Sequence, residues 1–461
     1  MYLPRVGIAY QLGTKTVIRG GFGTYFDTLN VLNFGVDQTG FSRSTSPVIT
    51  NNFGQTWNFP DNANPNNGKS PLSDPFPVRP DGSRFDIPTR ELLGAMGRVG
   101  RGFGFTDYNE SRPRQQRWRA GFQRAFGSSM VIDVAYAGSY SDRILLGRSI
   151  SPVPEQYWAS GNVRNDTIAN NLNSNVTNPF FIGNFNASQF TPLVWADMQT
   201  NGFFTSPTIR KSTLLRAFPQ MNNVTNNTIN SGSNKIHEFQ VNFERRFSKG
   251  FNFNVGYTAM KIRAADFYAN EFDASPTERL SNNGRPHRLV LTSIYELPFG
   301  KGRAMFASAP KAVNYLIGGW QTSVTYEYQP GPLLDWGNAF YYGSNTSNIA
   351  NVNQTFDTWF NTADFEKTAI RTANSFHRRG FPTRIAGVRQ DMTNQWNANM
   401  SKNITITERM NMQLRLDALN VANRSQMAAP STDPTSTNFG KITSQTAATN
   451  RWLQVQMRLT F

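Results

Sequence analysis

The sequence has 461 residues, with 36 Phe, 15 Tyr, 9 Trp and 36 Gly but no Cys, and its formal net charge is +16. The lack of Cys excludes disulfides, thiolate metal sites and thiol catalysis, and the lack of any run of 18 apolar residues excludes a transmembrane helix. Many aromatic and few aliphatic residues favour β-strands with aromatic girdles, and basic residues spread along the chain suit an anionic membrane surface or ligand as well as nucleic acid.

A unit of strand, short turn and strand recurs along the chain, and alternating apolar and polar side chains mark each strand. The first unit joins Val6–Leu12 to Thr16–Phe26 across a turn at residues 13–15. The later strands are predicted at Gln116–Phe122, Met130–Tyr136, Phe239–Phe243, Phe251–Tyr257, Arg288–Glu296, Trp320–Gln329, Trp396–Ile404, Met410–Leu416 and Leu453–Phe461. The sequence therefore predicts an all-β, antiparallel fold of about eleven strands, and strands of about 9–11 residues suit a tilted crossing of a bilayer.

The connections between these strands alternate in length. Every second connection is short, although the one between Glu296 and Trp320 is longer than the other turns. Long, Asn-rich and Pro-rich segments are predicted as external loops near residues 27–114, 145–234, 262–285, 330–394 and 420–449. The composition of the first of them predicts no regular core element. Because such loops are unusual in compact soluble domains and ordinary on the outer side of an outer-membrane barrel, we expect a transmembrane β-barrel of that type.

The last strand alternates without a break up to the final residue. Its apolar side chains are Leu453, Val455, Met457, Leu459 and Phe461. We expect them to face lipid, in one band with the odd-numbered positions of Phe251–Tyr257 and the even-numbered positions of Met410–Leu416. A slip of one residue would turn Arg458 toward hydrocarbon, at about 2–4 kcal/mol near the bilayer midplane. The alternative is an ordinary strand of a soluble sandwich.

The strand count leads to a further expectation. If the last strand runs toward the periplasm, the first strand runs the same way and starts outside the cell. Bacterial barrels have even strand numbers, and unpaired strand edges in lipid cost several kcal/mol per backbone group. We therefore expect an incomplete, C-terminal part of a larger barrel, open between the edges Val6–Leu12 and Leu453–Phe461. The lack of a signal peptide at the start of the sequence fits the same truncation.

Several segments, in order along nearly the whole chain, resemble the TonB-dependent receptors with an Oar-like β-barrel. The segments are Pro4–Asp27, Gln115–Ile144, Leu214–Gln220, Phe239–Lys261, Arg285–Arg303, Gly318–Leu334, Trp359–Phe365, Leu414–Pro430 and Asn438–Thr443. The resemblance implies a 22-stranded barrel of the bacterial cell outer membrane that takes up a ligand and is energised through TonB. Residues 1–461 would be the C-terminal part of that barrel, with the plug domain absent.

The resemblance also sets the expected partners. These are outer-membrane lipid, the outer-membrane barrel assembly machinery, TonB only through the missing N-terminal plug, and a ligand that the sequence does not identify. A passive porin-like channel and a secreted β-rich adhesin or carbohydrate-binding protein remain as alternatives.

Motifs for other chemistry are weak. The octamer Arg101–Tyr108 nearly matches the first ribonucleoprotein motif of RNA-recognition modules, but without the surrounding strands it is interpreted as an aromatic loop, and no nucleic acid is expected. His237, His287 and His377 lack the spacing of metal ligands. A phosphate-binding P-loop and a nucleophile elbow are also missing, so we expect neither an enzyme nor a cofactor.

Two kinds of residue are candidates for contacts with other molecules. Arg245 and Arg246, at a strand end, are interpreted as a charged anchor near the inner interface in preference to an anion site. The aromatic stretches Trp336–Tyr342 and Phe180–Phe190 offer stacking surfaces for a ligand, but packing within loops explains them equally well. The sequence therefore assigns no ligand-binding residue.

Overall fold

A computed structural model describes residues 2–26, 40–47, 50, 52–55, 76, 82–107, 111–350, 353–369, 376–447 and 449–461. Eleven long strands form one sheet and follow each other in chain order. They are β1 (Arg5–Leu12), β2 (Thr16–Phe26), β3 (Arg114–Phe126), β4 (Met130–Ser149), β5 (Val224–Ser248), β6 (Phe251–Ala265), β7 (His287–Glu296), β8 (Trp320–Gln329), β9 (Thr393–Thr405), β10 (Asn411–Leu419) and β11 (Trp452–Thr460).

Each of these strands pairs antiparallel with the next one in sequence. The pairing order begins at β1 and ends at β11, and no pairing between these two strands is found among the described residues. The predicted all-β fold with about eleven antiparallel strands is therefore confirmed for the long strands. All eleven long strands belong to one sheet, whereas a soluble sandwich would need two packed sheets.

The short connections form because backbone positions with positive φ close them. Gly127 (φ 61°) lies in the turn between β3 and β4, and Lys249 (φ 55°) and Gly250 (φ 77°) form the turn between β5 and β6. Glycine adopts this region without the steric cost that a Cβ brings. The connection between β7 and β8 is longer, as predicted, and contains the helix α5 (Lys311–Ile317).

Two strands extend well past the predicted ends. β4 has 20 residues and β5 has 25, so the connection predicted at 145–234 covers only residues 150–223. The extension contains register shifts between Ser141 and Arg148. Its β5 side, Val224–Ser233, is rich in Asn, Thr and Ser, so it shows no apolar alternation, and pairing with β4 forms the strand there.

The connections contain further regular elements. The helices are α1 (Asp166–Asn173), α2 (Pro192–Thr200), α3 (Gly202–Thr205) and α4 (Lys211–Leu214); the 3-10 helices are Arg90–Arg98, Glu155–Tyr157, Ile182–Asn184, Ala187–Gln189 and Thr346–Ile349. The short strands are Phe103–Phe105, Asn175–Thr177, Thr208–Arg210 and Glu278–Leu280. Phe103–Phe105 pairs parallel with Val224–Asn226, so the sheet is not wholly antiparallel. In the described part of the chain, no helix has the length and apolar character to cross a membrane.

Most fully buried side chains lie in the connections and few in the sheet. One cluster, named here the large loop core, joins the connection after β8 to the connection after β10; it contains Leu334, Trp336, Tyr341, Ile349, Trp359, Phe360, Phe365, Phe381, Ile385, Val388, Phe439 and Ile442. A second cluster, the small loop core, contains Leu93, Val194, Met198 and Phe204.

The small loop core corrects one prediction. Leu93 belongs to the 3-10 helix Arg90–Arg98 and is 7% exposed, so the segment 27–114 does contain a regular element with a core residue. The reason is local, because Leu93 and Met96 are three residues apart and both pack into the small loop core. Residues 27–39, 48–49, 51, 56–75, 77–81 and 108–110 of this predicted loop lie outside the described residues.

Candidate functional site

Four of the five apolar residues predicted on the last strand lie in β11 and share one face with β10. Leu459 pairs with Met412, Met457 with Leu414, and Val455 with Leu416. Paired residues in a ladder point to the same side of the sheet. Val455 is 78% and Met457 72% exposed, and Leu453 and Leu459 are exposed as well. Phe461 lies one residue beyond β11 and is 91% exposed.

The register continues this face through every strand of the sheet. It passes from Leu416 through Met400 in β9, and from Trp396 and Tyr326 to Leu291 and Val255. This side of the sheet is named here the apolar face. Its apolar residues include Val6, Ile8, Tyr10, Leu12, Ile18, Phe22, Trp118, Phe122, Ile132, Val134, Tyr136, Phe239, Val241, Phe243, Phe251, Phe253, Val255, Tyr257, Leu289, Leu291, Val324, Tyr326, Trp396, Met400, Met412, Leu414, Leu416, Leu453, Val455, Met457 and Leu459. The odd-numbered positions of Phe251–Tyr257 and the even-numbered positions of Met410–Leu416 that are paired therefore lie on the face on which they were predicted.

The opposite face, named here the polar face, contains hydrogen-bonded charged groups. The Asp417 carboxylate accepts from Arg415 Nε at 2.9 Å and from Asn399 Nδ2 at 2.8 Å. Arg288 forms a 3.0 Å ion pair with Glu327 between β7 and β8. Apolar and polar side chains are thus separated onto two faces by the period of two along each strand.

The apolar face has basic residues at the end nearest the short turns. By register Arg124, Arg245 and Lys402 lie on this face, beside Ile132, Met130 and Leu414. Each cationic group lies close to an aromatic ring, at 5.7 Å from Phe126, 5.3 Å from Phe251 and 4.7 Å from Trp320 respectively. Long basic side chains of this kind cover apolar surface while their charged ends reach polar surroundings.

Aromatic residues with polar groups lie at the other end of the apolar face. The Tyr136 hydroxyl lies 2.7 Å from His237 Nδ1, and the Tyr257 hydroxyl lies 2.8 Å from His287 Nδ1. Tyr326 stacks on Trp396 with 4.2 Å between ring centroids. Tyr and Trp bands of this kind mark the two boundaries of a bilayer.

The third histidine and the octamer Arg101–Tyr108 make contacts within the protein. The third histidine, His377, is buried, and its ring nitrogens lie 3.0 and 3.1 Å from the carbonyl oxygens of Arg378 and Val163. Among the described residues, no three His, Asp or Glu side chains come together as a metal site would require. In the octamer Arg101–Tyr108, the Phe103 ring lies 4.8 Å from the Arg98 guanidinium, and Tyr108 lies outside the described residues.

Both aromatic stretches that were candidates for ligand contact lie largely within loop cores. Trp336 is 4% exposed and stacks on Phe365 at 5.6 Å between ring centroids. Phe180 packs against the small loop core, where its ring lies 5.0 Å from that of Phe203. Packing between loops therefore accounts for most of these aromatic residues, although Tyr342 is 44% exposed.

The sequence did not predict the role of Arg379, which connects several segments around the large loop core through hydrogen bonds. Arg379 donates to the carbonyl oxygens of Trp336 (2.6 Å), Gly337 (2.9 Å) and Phe381 (2.9 Å). Burial and the neighbouring Arg279 lower the pKa of the Arg379 guanidinium. Two of the three acceptors are more than 40 residues away in sequence, so no local pattern predicts this set of contacts.

Comparison with known families decides what this two-faced sheet is. The family model described as outer membrane beta-barrel domain matches residues 2–454. The chain belongs to that family. The predicted localisation in the bacterial cell outer membrane is thereby confirmed, and the alternative of a secreted adhesin is wrong.

Solved outer-membrane proteins share similarity with the chain. The outer membrane transporter YddB of Escherichia coli has 10% identity and a TM-score of 0.42 over 97% of this chain and 39% of its own. The FrpB iron transporter of Neisseria meningitidis has 9% identity and a TM-score of 0.39, over 99% and 39%. The ferric yersiniabactin uptake receptor FyuA of Yersinia pestis has 7% identity and a TM-score of 0.38, over 99% and 37%. The chain thus spans less than two fifths of the length of each of these proteins. Curated protein sequences show no significant match.

Proposed function

We propose that the eleven-stranded sheet is part of the wall of a TonB-dependent receptor that takes up a ligand across the outer membrane. The observation that carries this proposal is the continuous apolar face through all eleven strands, with polar side chains on the other face. Soluble proteins rarely expose an apolar surface larger than a few hundred Å². In a bilayer the same surface is covered by lipid, and the polar face lines the lumen.

In this orientation the terminal strand has two roles. Leu453, Val455, Met457, Leu459 and Phe461 contact outer-membrane lipid, and the strand that carries them is the segment that the barrel assembly machinery binds. The short turns lie in the periplasm and the long connections outside the cell. The basic residues Arg124, Arg245 and Lys402 then lie at the periplasmic boundary of the bilayer.

Coupling to TonB through a plug domain, and uptake of a ligand, belong to the same proposal. They are supported by the ordered series of Oar-like segments between Pro4 and Thr443. The large loop core supports a receptor mouth of defined shape, because aromatic packing gives the external connections a buried core of their own.

The lipid-facing side is tested by single-cysteine labelling, which the Cys-free sequence makes simple. Val455→Cys and Gln456→Cys variants are labelled with a nitroxide in lipid vesicles, and their accessibility to oxygen and to a water-soluble nickel complex is measured. We expect oxygen to relax the label at position 455 more strongly, and the nickel complex to relax the label at 456. The reverse order at the two positions would overturn the proposal, and equal accessibility to the nickel complex would do the same.

A further inference from the structure

On the polar face of β1, β2 and β3, two arginines and a tyrosine from three different strands lie close together. Arg5 in β1 pairs with Gly23 in β2, and Gly23 pairs with Arg117 in β3, so the three residues form one row across the sheet. Tyr25 lies two positions along β2 on the same face. Its ring folds back over Gly23 and fills the space that a side chain would need there. A Cβ at position 23 would be 2.9 Å from the Tyr25 hydroxyl oxygen and 3.0 Å from Cε2.

The Tyr25 ring lies close to two cationic groups. The guanidinium carbon of Arg5 lies 4.6 Å from the ring centroid, and that of Arg117 lies 5.4 Å from it. Arg117 Nε also donates to Gln115 Oε1 at 2.6 Å. Stacking on an aromatic ring restricts a guanidinium while leaving its N–H groups free to donate in the ring plane.

The row borders a cleft with a floor of small residues. The cleft has a volume of about 710 Å³, and its lining includes Gly7, Gly21, Gly23 and Ala137. Arg5, Tyr25 and Arg117, named here the clamp, also line it. A second cleft of about 420 Å³ shares Gly21 with it and extends along the same strands. Small-molecule sites commonly have about 300–1,000 Å³, which is far more than one inorganic anion fills.

The charges in this region do not balance. Its carboxylates are those of Glu238, which accepts from Gln240 at 2.7 Å, and Asp133, which forms a 3.4 Å ion pair with Arg119. For Arg5, Arg19 and Arg117 the described part of the structure shows no ion pair. Elsewhere on the same face, Arg288 and Arg415 are both paired with carboxylates. Positive charge is therefore in excess along the wall formed by β1–β3.

We propose that this cleft binds a small solute with at least two anionic groups, and that Arg5 and Arg117 each bind one of them. Guanidinium groups bind carboxylate and phosphate through paired, charge-assisted hydrogen bonds, and both anion types fit the clamp. The inference rests on the proposed function, since that orientation makes this face the lumen.

The test is calorimetric titration of the chain in lipid nanodiscs at about 0.15 M salt, where the Debye length is about 8 Å. The probes are pyrophosphate for phosphate groups, tricarballylate for carboxylates and maltotriose as a neutral solute. We expect one anion or both to bind, maltotriose to give no heat of binding, and the Arg5→Gln/Arg117→Gln variant to bind at least about tenfold more weakly, since it loses the charge-assisted hydrogen bonds to both anionic groups. The anion that binds identifies the class of ligand.

Two further variants make the test specific. Arg288→Gln/Arg415→Gln removes the same charge from the same face, and we expect it to change the affinity less than about twofold, because long-range terms are screened. Gly23→Ala keeps every charge but displaces the Tyr25 ring, and we expect weaker binding with an unchanged β-sheet signal in circular dichroism.

The proposal is overturned if the wild-type chain binds neither anion, if the two double variants lose affinity equally, or if Gly23→Ala binds like the wild type. The cysteine labels at positions 455 and 456 report on the face of the sheet independently. A reversed face would refute the lumen assignment and leave the anion titration readable.

Discussion

The sheet and the large loop core contain the same kinds of residue in opposite surroundings. Val6 and Val455 in the sheet are 70% and 78% exposed, and Phe22 is 42% exposed. In the large loop core, Phe360 is fully buried and Trp336 is 4% exposed. One region leaves its apolar side chains on a surface, and the other packs them against each other as a soluble protein does.

This difference fits the proposed orientation, in which the two regions meet different solvents. Water surrounds the loop core, so its aromatic residues are stabilised by about 1.5–3 kcal/mol each when they leave water. Lipid covers the apolar face of the sheet in the same orientation. Removal of an apolar group there leaves no cavity among packed protein atoms, whereas insertion of a charge brings a cost that a water-exposed surface would not impose.

The largest effect is expected from a cavity in the loop core. Phe360→Ala should lower the free energy of unfolding of the external connections by about 3–5 kcal/mol, because Phe360 contacts the rings of Trp336 and Phe439 and is fully buried. Hydrogen exchange of residues in the core measures this loss. Phe356→Ala is the control, since Phe356 is 57% exposed and should cost far less. Similar exchange rates in the two variants would contradict the comparison.

The second test inserts a charge into each face of the sheet. Leu416→Arg should cost about 2–4 kcal/mol in lipid vesicles, because Leu416 lies in the middle of β10 on the apolar face, while Gln413→Arg on the polar face should cost much less. Leu416 pairs with Val455, and Gln413 of the same strand pairs with Arg458. Urea unfolding of both variants in vesicles gives the two costs. A larger loss from the change at 413 would mean that the faces are reversed.

A third test removes the hydrogen bonds that Arg379 donates beside the large loop core. Arg379→Met should cost about 1–3 kcal/mol, because it leaves three carbonyl groups without this donor, two of them in partly buried contacts. The adjacent change Arg378→Met removes an exposed ion pair with Glu155 and should cost less than about 1 kcal/mol. Thermal unfolding monitored by tryptophan fluorescence distinguishes the two. Equal costs would show that the carbonyl contacts contribute little.

The smallest effect is expected from an exposed group of charges at Glu278, in the connection between β6 and β7. Hydrogen bonds from Arg263 and Lys235 lower the pKa of Glu278 from its ordinary value of 4.5. The contact therefore stabilises the fold above that ordinary value and loses its effect as the pH falls through the lower, folded-state pKa. Because the pair is exposed, the change should be slight. The unfolding midpoint of the wild type should fall toward that of Glu278→Gln as the solution is acidified below pH 4.5, and parallel curves would exclude the linkage.

The strands and their two faces were predictable because the signal for both is local. Alternation in stretches such as Leu453–Thr460 has the period of the pleat, so it indicates both the strand and the side to which each residue points. The glycines of the short turns identify where the strands that they connect end and begin. The eleven strands and the face of the last one needed no knowledge of their neighbours.

Other features required the tertiary structure, because their partners are distant in sequence. The upper half of β5 lacks alternation and is a strand only through its pairing with β4. Phe439 enters the large loop core from a different connection, about 80 residues after Phe360. Arg5, Gly23 and Arg117 lie on three strands, and only the register of β1, β2 and β3 places them in one row. A residue's own side chain determines the face of a strand, but a site forms only where pairing and packing bring separate segments together.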